Sequence, residues 1–271
     1  MITIKTPEEI VLLREGGRRL AAILKRLASE VKPGVSAADI DRLAAELVKA
    51  GRDERGEEDA PAFLGYQPDG AARPFPGSVC ISVNDEIVHG IPTADKIFKE
   101  GDIVAVDMGL IHAGLITDAA VTVIVGKAGG KSAGDAKCLE KARALVKATR
   151  EALDKAIAAA QPGGRVGDIG EAVESFVRPL GFGLAEELAG HGVGYAVHED
   201  PYVPNTGRRG EGALLKPGMV IAIEPMLNEG TDAVVFDRKD GYTVRTKDGR
   251  RSAHFEHTIV IGEDGPEVLT R

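Results

Sequence analysis

Apolar residues recur in two rhythms along the chain. From Ile10 through Leu13, Gly17, Leu20 and Leu24 to Leu27 they come at alternating steps of three and four, the spacing of one helix face. Thr6 stands just ahead, with Pro7 at the first helical position and Glu9 at the third, so Thr6 is expected to cap this helix. Pro33-Gly34 breaks it. A second helix starts near Ser36 and runs through Leu43 and Leu47 to Gly51. Residues 52–77 are charged, then rich in Gly and Pro, and read as an exposed loop. Continuous apolar runs follow: Val79–Val83, then Ile103–Leu110 and Leu115–Val125 on either side of a tight connection around His112-Ala113-Gly114. Helical spacing returns over Asp135–Ala160, stops at Pro162-Gly163, and resumes over Asp168–Pro179. From Leu184 onward the chain reads as strands and loops.

The order helix, Pro-Gly, helix, strands thus occurs twice. Val31–Val48 aligns without a gap on Ala160–Val177, matching Pro33, Gly34, Asp39, Ile40 and Val48 with Pro162, Gly163, Asp168, Ile169 and Val177. Further on, GDIVAVD (101–107) resembles GMVIAIE (218–224). The competing reading is chance likeness between amphipathic helices. Two matched segments in the same order favour a duplicated half. Two α+β halves facing each other would leave a cleft on their pseudo-twofold axis, where sites commonly lie.

Composition narrows the class. Apolar residues make up 43% of the 271, enough for a sizeable core, and the formal charge is −8. That balance lacks the basic footprint of a nucleic-acid binder. With no Trp and 4% aromatics, stacking platforms for single strands are not expected either. Two cysteines, Cys80 and Cys138, make no disulfide scaffold and no CxxC pair, which points to a reducing cytoplasm. No apolar run approaches membrane-span length, and the N-terminus does not read as a signal peptide.

Against this background four acids stand out on apolar strands: Asp107, Asp118, Glu224 and Glu256. A buried carboxylate needs a cation or hydrogen bonds. With His112 and Ala113 as a two-residue turn, Asp107 faces Asp118 directly across a hairpin, and two carboxylates that close must share a proton or a metal. Taken singly, each acid is equally well an edge residue. Together, two per half, they are harder to dismiss. Among six histidines, His89 and His191 each precede a Gly, which suggests tight turns that aim an imidazole. One His with four carboxylates is an oxygen-rich ligand set suited to Mn, Fe(II), Co or Zn in a two-metal centre rather than a structural zinc site. Such pairs suit hydrolysis. A rival motif, Gly126 to Ser132, imitates a phosphate-binding loop, but three residues separate Gly126 from Gly130 where the pattern needs four. It reads as a linker, with nucleotide binding as the alternative.

On these residues the sequence resembles the type I methionine aminopeptidases. The segments that carry the resemblance are VCISVNDEIVHGIP (79–92), DIVAVDMGLIHAGLITD (102–118), GHGVGYAVHEDP (190–201), LKPGMVIAIEPM (215–226) and TVRTKDGRRSAHFEHTIV (243–260). The resemblance implies an α+β pita-bread fold: two pseudo-symmetric halves of antiparallel sheet backed by helices, with the metal site on the pseudo-twofold axis. It implies one catalytic domain over 1–271, with halves of about 1–125 and 135–271 and a glycine-rich linker of about 126–134. It implies five metal ligands. The residues matching Asp118 and Glu256 bridge two divalent ions, that matching Asp107 holds one, and those matching His191 and Glu224 hold the other.

Glu224 then doubles as a candidate base, and His89 and His198 polarise the scissile amide. Cys80, Tyr66, Phe75 and Tyr242 would line the methionine pocket, with Val197 beside them. The stretch between Tyr66 and Phe75 is longer than usual for the family, and Phe75, Tyr242 and Val197 depart from the common residues there. Asn84 and Ser252 match positions near a structural monovalent cation. His112, His254 and His257 are expected to be structural. The resemblance further implies nascent polypeptide N-termini as substrate, transient ribosome contact, no nucleic-acid specificity, no membrane, and a monomer. Two alternatives stand beside it: an Xaa-Pro-directed peptidase of the same fold, and a non-catalytic binding protein.

Overall fold

A computed structural model describes residues 1–52, 56, 58–68, 70–126 and 133–271. The elements in chain order are helices α1 (Pro7–Glu30) and α2 (Ala37–Lys49), then strands β1 (Ala60–Pro61), β2 (Cys80–Val83), β3 (Glu86–Val88), β4 (Ile103–His112) and β5 (Leu115–Ile124). Helices α3 (Ala133–Ala159) and α4 (Val166–Val177) follow, then β6 (Gly183–Leu184), β7 (Ala189–Gly192), β8 (Glu199–Pro204), β9 (Val220–Ile223) and β10 (Met226–Asn228). The last strands are β11 (Val234–Phe236), β12 (Val244–Thr246), β13 (Ser252–His254), β14 (Glu256–Ile261) and β15 (Pro266–Val268). No described helix is long and apolar enough to cross a membrane.

The helix starts obey their local chemistry. The Glu9 N–H donates to Thr6 Oγ1 at 3.2 Å and the Thr6 N–H donates to Glu9 Oε2 at 2.8 Å, the reciprocal box expected of Thr6. Ser36 and Asp39 repeat the box at α2. At α4 the Asp168 carboxylate accepts from the Arg165 N–H. The internal repeat extends to backbone conformation: Gly34 and Gly163 are both left-handed, as are Gly101 and Gly218. Leu13, Gly17, Leu20, Leu24 and Leu27 of α1 are buried as their spacing requires.

The main sheet has nine strands in the order β1-β4-β5-β14-β9-β7-β8, with β2 beside β4 and β15 beside β14. Strand alternation divides its residues between two faces. Val104, Val106, Met108 and Leu110 of β4 pack in one core with Leu20, Leu24 and Leu27 of α1 and Ile40 and Ala44 of α2. Ile221, Ile223, Ile259 and Ile261 pack with Leu145, Ala152 and Leu153 of α3 and Ile169 and Val173 of α4. Asp107, Asp118 and Glu256 therefore lie on the face turned away from the helices, and Glu224 follows β9 in the same alternation.

Two expectations change. The hairpin turn is Ala113-Gly114, both at positive φ, and His112 pairs with Leu115. Two left-handed residues make the primed turn that the twist of a hairpin prefers, and Gly114 supplies one at no steric cost. Asp118 thus faces Gly109, and Asp107 faces Ala120. The carboxylates share a face but are diagonal neighbours, not directly opposed. Nor is 52–77 simply an exposed loop: Pro61 pairs with Leu110, and Asp59, Ala62, Phe63 and Phe75 are buried. Asp59 anchors it, with one carboxylate oxygen 2.8 Å from His112 Nδ1 and the other 3.2 Å from Arg19 Nη1. The glycine-rich run after Gly126 lies outside the described residues.

Candidate metal centre

Each strand delivers one group to a shared line. Cys80 pairs with Asp107, Asp107 with Ala120, and Ala120 with Glu256. Asp118 lies two residues from Ala120 on the same face. His257 pairs with Ile223, so the next step of the register places Glu256 beside Glu224. His191 comes from β7, where the pairing with β8 shifts between Gly190 and Gly192. Both flanking glycines are obligatory: a Cβ on Gly190 would meet Ala222 O at 2.3 Å, and one on Gly192 would meet Asp200 O at 2.1 Å. The GHG triplet is thus a close-packed bulge that turns one imidazole inward.

These groups line a small cavity of about 80 Å³, together with Phe63, Tyr66, Pro68, Phe75, Cys80, His89, Val197, His198 and Tyr242. The five expected ligands and all six expected substrate contacts are in its wall. One ligand atom from each of Asp118, His191 and Glu256 lies within 4.8 Å of the others, and Asp107 and Glu224 flank that trio. Asn84 and Ser252 lie elsewhere. The Ser252 N–H donates to Asn84 O at 2.8 Å, and the Asn84 side chain bridges Asp102 and the Ile103 N–H.

The electrostatics are those of a site built for cations. No Lys or Arg pairs with any of the four acids among the described residues. Burial, reinforced by Asp118, drives the Asp107 carboxyl far above its ordinary range, and burial also raises Asp118. Glu224 and Glu256 are raised by burial and then by the neighbouring carboxylates. Asp107 Oδ1, Asp118 Oδ1 and Glu256 Oε1 are buried without a hydrogen-bond partner. Such atoms are costly unless something supplies positive charge. His191 fits the same purpose. Its Nδ1–H donates to Gly192 O at 2.9 Å, which leaves the Nε2 lone pair facing the cavity, 3.4 Å from Glu224 Oε1. Burial, then His198, lowers its pKa to about 3, so it stays neutral, as a metal ligand must. The donor set fits a divalent ion of the Mn, Fe(II), Co or Zn kind.

Around this centre, His198 sits at the mouth, where Tyr66 Oη is 2.8 Å from its Nδ1 and its ring meets that of His191 edge-on at 4.4 Å. His89 adopts a left-handed φ of 58°, uncommon for a residue with a side chain, and burial lowers its pKa to about 4. Burial and Asp107 push the Cys80 thiol up, so it stays neutral and presents an apolar wall. Phe75 and Tyr242 pack edge to face at 5.2 Å. Sequence reasoning missed Phe63 and Pro68, hidden in a stretch whose charge and Gly content read as loop. It also undervalued His254. Both its ring nitrogens lack a hydrogen bond, and its Nε2 lies 3.6 Å from Glu224 and 3.9 Å from Glu256.

A buried cluster of acids beside the neutral imidazole of His191, on one face of an antiparallel sheet, has the make-up of a divalent-metal centre. The sequence model of metallopeptidase family M24 matches residues 11–263, and the chain belongs to that family. A methionine aminopeptidase of Aquifex aeolicus is 43% identical over 99% of this chain and 98% of its own length. The crystal structure of a methionine aminopeptidase from Thermotoga maritima superposes with a TM-score of 0.89 at 44% identity, over the whole of both chains. A prolidase from Pyrococcus horikoshii shares the fold alone, with a TM-score of 0.72 and 23% identity over 63% of that chain. The architecture is the expected pita-bread fold.

Proposed function

We propose that this protein is a metal-dependent methionyl aminopeptidase that hydrolyses the first peptide bond of a polypeptide and releases its N-terminal methionine. One observation carries the reading. Buried, partnerless oxygens of Asp107, Asp118 and Glu256, together with Glu224 and a neutral His191, border the same small cavity as an apolar, thiol-walled recess. Full-length likeness to methionine aminopeptidases supports it. Asp107, Asp118, His191, Glu224 and Glu256 would hold two divalent ions, of Co, Mn, Fe(II) or Zn, which when bound supply Lewis-acid polarisation of the carbonyl and a water acidic enough to attack at neutral pH.

The chain's own groups do the rest. Cys80, Phe63, Phe75, Val197 and Tyr242 enclose an unbranched thioether side chain, and sulfur against aromatic edges is favourable. Tyr66 O–H donates to His198 Nδ1, which leaves the Nε2–H free to donate to the scissile amide. Neutral His89 holds the same bond from the other wall. Glu224 takes the proton of the attacking water and returns it to the departing amine nitrogen. The crowded mouth between Tyr66 and His198 favours a small second residue.

In this reading the whole chain is one catalytic unit, with halves of about 1–125 and 135–271. It works as a monomer in the cytoplasm, on nascent N-termini beside the ribosome. A monovalent cation would sit by the Asn84 and Ser252 backbone, since the Asn84 side-chain oxygen already accepts from Ile103. A peptide panel tests the function. Release of Met from Met-Ala-Ser is expected, with no cleavage of Xaa-Pro peptides whose first residue is not Met. Cleavage of Xaa-Pro alone overturns the reading in favour of the proline-directed relatives.

A further inference from the structure

A second, larger cavity of about 640 Å³ lies away from the metal centre, between the first turns of α3, Phe182 and the β12–β13 turn. Four of its wall residues are cations: Lys137, Lys141, Arg250 and Arg251. On a chain of formal charge −8 that is a local inversion of sign. Lys137 and Lys141 are one helical turn apart and share a face of α3. Arg250 and Arg251 come from the turn. Arg251 is engaged: its Nε donates to Glu229 Oε2 at 3.0 Å, and its Nη2 to Cys138 O at 3.0 Å, which ties the turn to the helix. Among the described residues Glu229 is the one carboxylate in the cavity wall. Lys137, Lys141 and Arg250 are exposed and make no ion pair among the described residues. Asp248, two residues before Arg250, has its carboxylate occupied by the backbone N–H groups of Thr231 and Arg250. The half-buried Phe182 ring and Ala144 add apolar surface to the same groove.

Lys137, Lys141 and Arg250, the last partly balanced by the Asp248 carboxylate, surround an apolar, aromatic-bearing hollow and suit an amphipathic anion with several phosphates. Arg offers a planar fork for phosphate oxygens and Lys a mobile point charge. The volume is that of a small-molecule site. We propose that this groove binds a nucleoside polyphosphate, with its phosphates between Lys137, Lys141 and Arg250 and its base against Phe182. A long nucleic acid fits less well, because the chain's overall negative charge repels it beyond the groove.

The test is calorimetric binding to the full-length, metal-loaded enzyme with excess magnesium. Its probes are ATP, adenosine, inorganic pyrophosphate and a single-stranded RNA oligonucleotide, each at low and moderate salt. The expected order is ATP, then pyrophosphate, then adenosine, with ATP binding weakened by salt. Lys141→Glu and Arg250→Glu are each expected to weaken ATP at least tenfold, and the milder Lys141→Gln severalfold. Release of Met from Met-Ala-Ser is expected to stay unchanged in all three. Absence of ATP binding overturns the proposal. So does ATP binding that the three variants leave intact, which would place the nucleotide at the metal centre. RNA binding through Lys141 and Arg250 without ATP binding also overturns it, in favour of a nucleic-acid surface.

Discussion

Asp107 and Glu256 face each other across a single residue: Ala120 pairs with Asp107 on one side and with Glu256 on the other. Adjacent strands are about 4.8 Å apart, so the two acids are separated by roughly two strand spacings. Only the small Ala120 side chain stands on the line between them. A longer side chain here would fill the space between the two acids.

Ala120→Leu is therefore expected to abolish metal binding while the protein still folds. Overpacking costs about 1–3 kcal/mol, a modest fall in melting temperature for a chain of this size. Metal analysis of the purified variant checks this. A variant that retains its ions would show that the cavity does not depend on Ala120.

The titrating groups fix how stability depends on pH. Folding raises the pKa values of Asp107, Asp118, Glu224 and Glu256, that of Asp118 to about 7. The folded metal-free protein thus holds protons that the unfolded chain has released. The stability from these groups is present at low pH and is lost as pH rises through the raised values. Folding lowers His89 to about 4 and His191 and His254 to about 3 by burial. Their contribution is present above the ordinary histidine pKa and is lost as pH falls toward 4 and then 3. Metal-free protein should melt at its highest temperature in mildly acidic solution, between the ordinary carboxylate and histidine ranges, and less stably on either side. Saturating metal should abolish the alkaline decline, because ligated carboxylates ionise without penalty. Identical alkaline profiles with and without metal would contradict this.

Tyr66→Phe keeps the ring in the pocket wall but removes the hydroxyl bonded to His198 Nδ1 at 2.8 Å. One hydrogen bond is worth about 1 kcal/mol, so kcat on Met-Ala-Ser should fall roughly five- to tenfold. KM should change little. A rise in KM at unchanged kcat would assign Tyr66 to substrate packing alone.

Gly17 is buried in α1, and a Cβ there would meet Leu269 O at 2.3 Å. Gly17→Ala should destabilise the protein by about 1–3 kcal/mol through overpacking. Alanine's better helix propensity, about 1 kcal/mol, offsets that cost only in part. Thermal melting checks it. A stabilised variant would mean that the segment after β15 can shift away from α1.

Much of this was legible from local chemistry. The Thr6 and Ser36 caps, the α1 face and the repeated Pro-Gly breaks depend on residues within a turn or two of one another. The four acids were visible because a carboxylate in an apolar strand breaks a strong pattern. The hairpin register was not, because Ala113 gives no sign that it will accept a positive φ, and one choice of turn residues moves every pairing. The burial of Phe63 and Phe75 was hidden for a different reason. It depends on Asp59 reaching His112 and Arg19, contacts far apart in sequence that no composition reveals. His254 carries no local signal of its place, because Glu224 and Glu256 come beside its unpartnered nitrogens only through the packing of separate strands.

The most direct test is a metal titration. Protein stripped with a chelator is supplied with increasing divalent ion, and release of free methionine from Met-Ala-Ser is measured. No release is expected without metal, and recovery is expected within two equivalents. Neither Asp107→Ala nor Glu256→Ala should recover at any equivalence. Release from the stripped protein, or full recovery in both variants, would contradict the assignment of these carboxylates to the working centre.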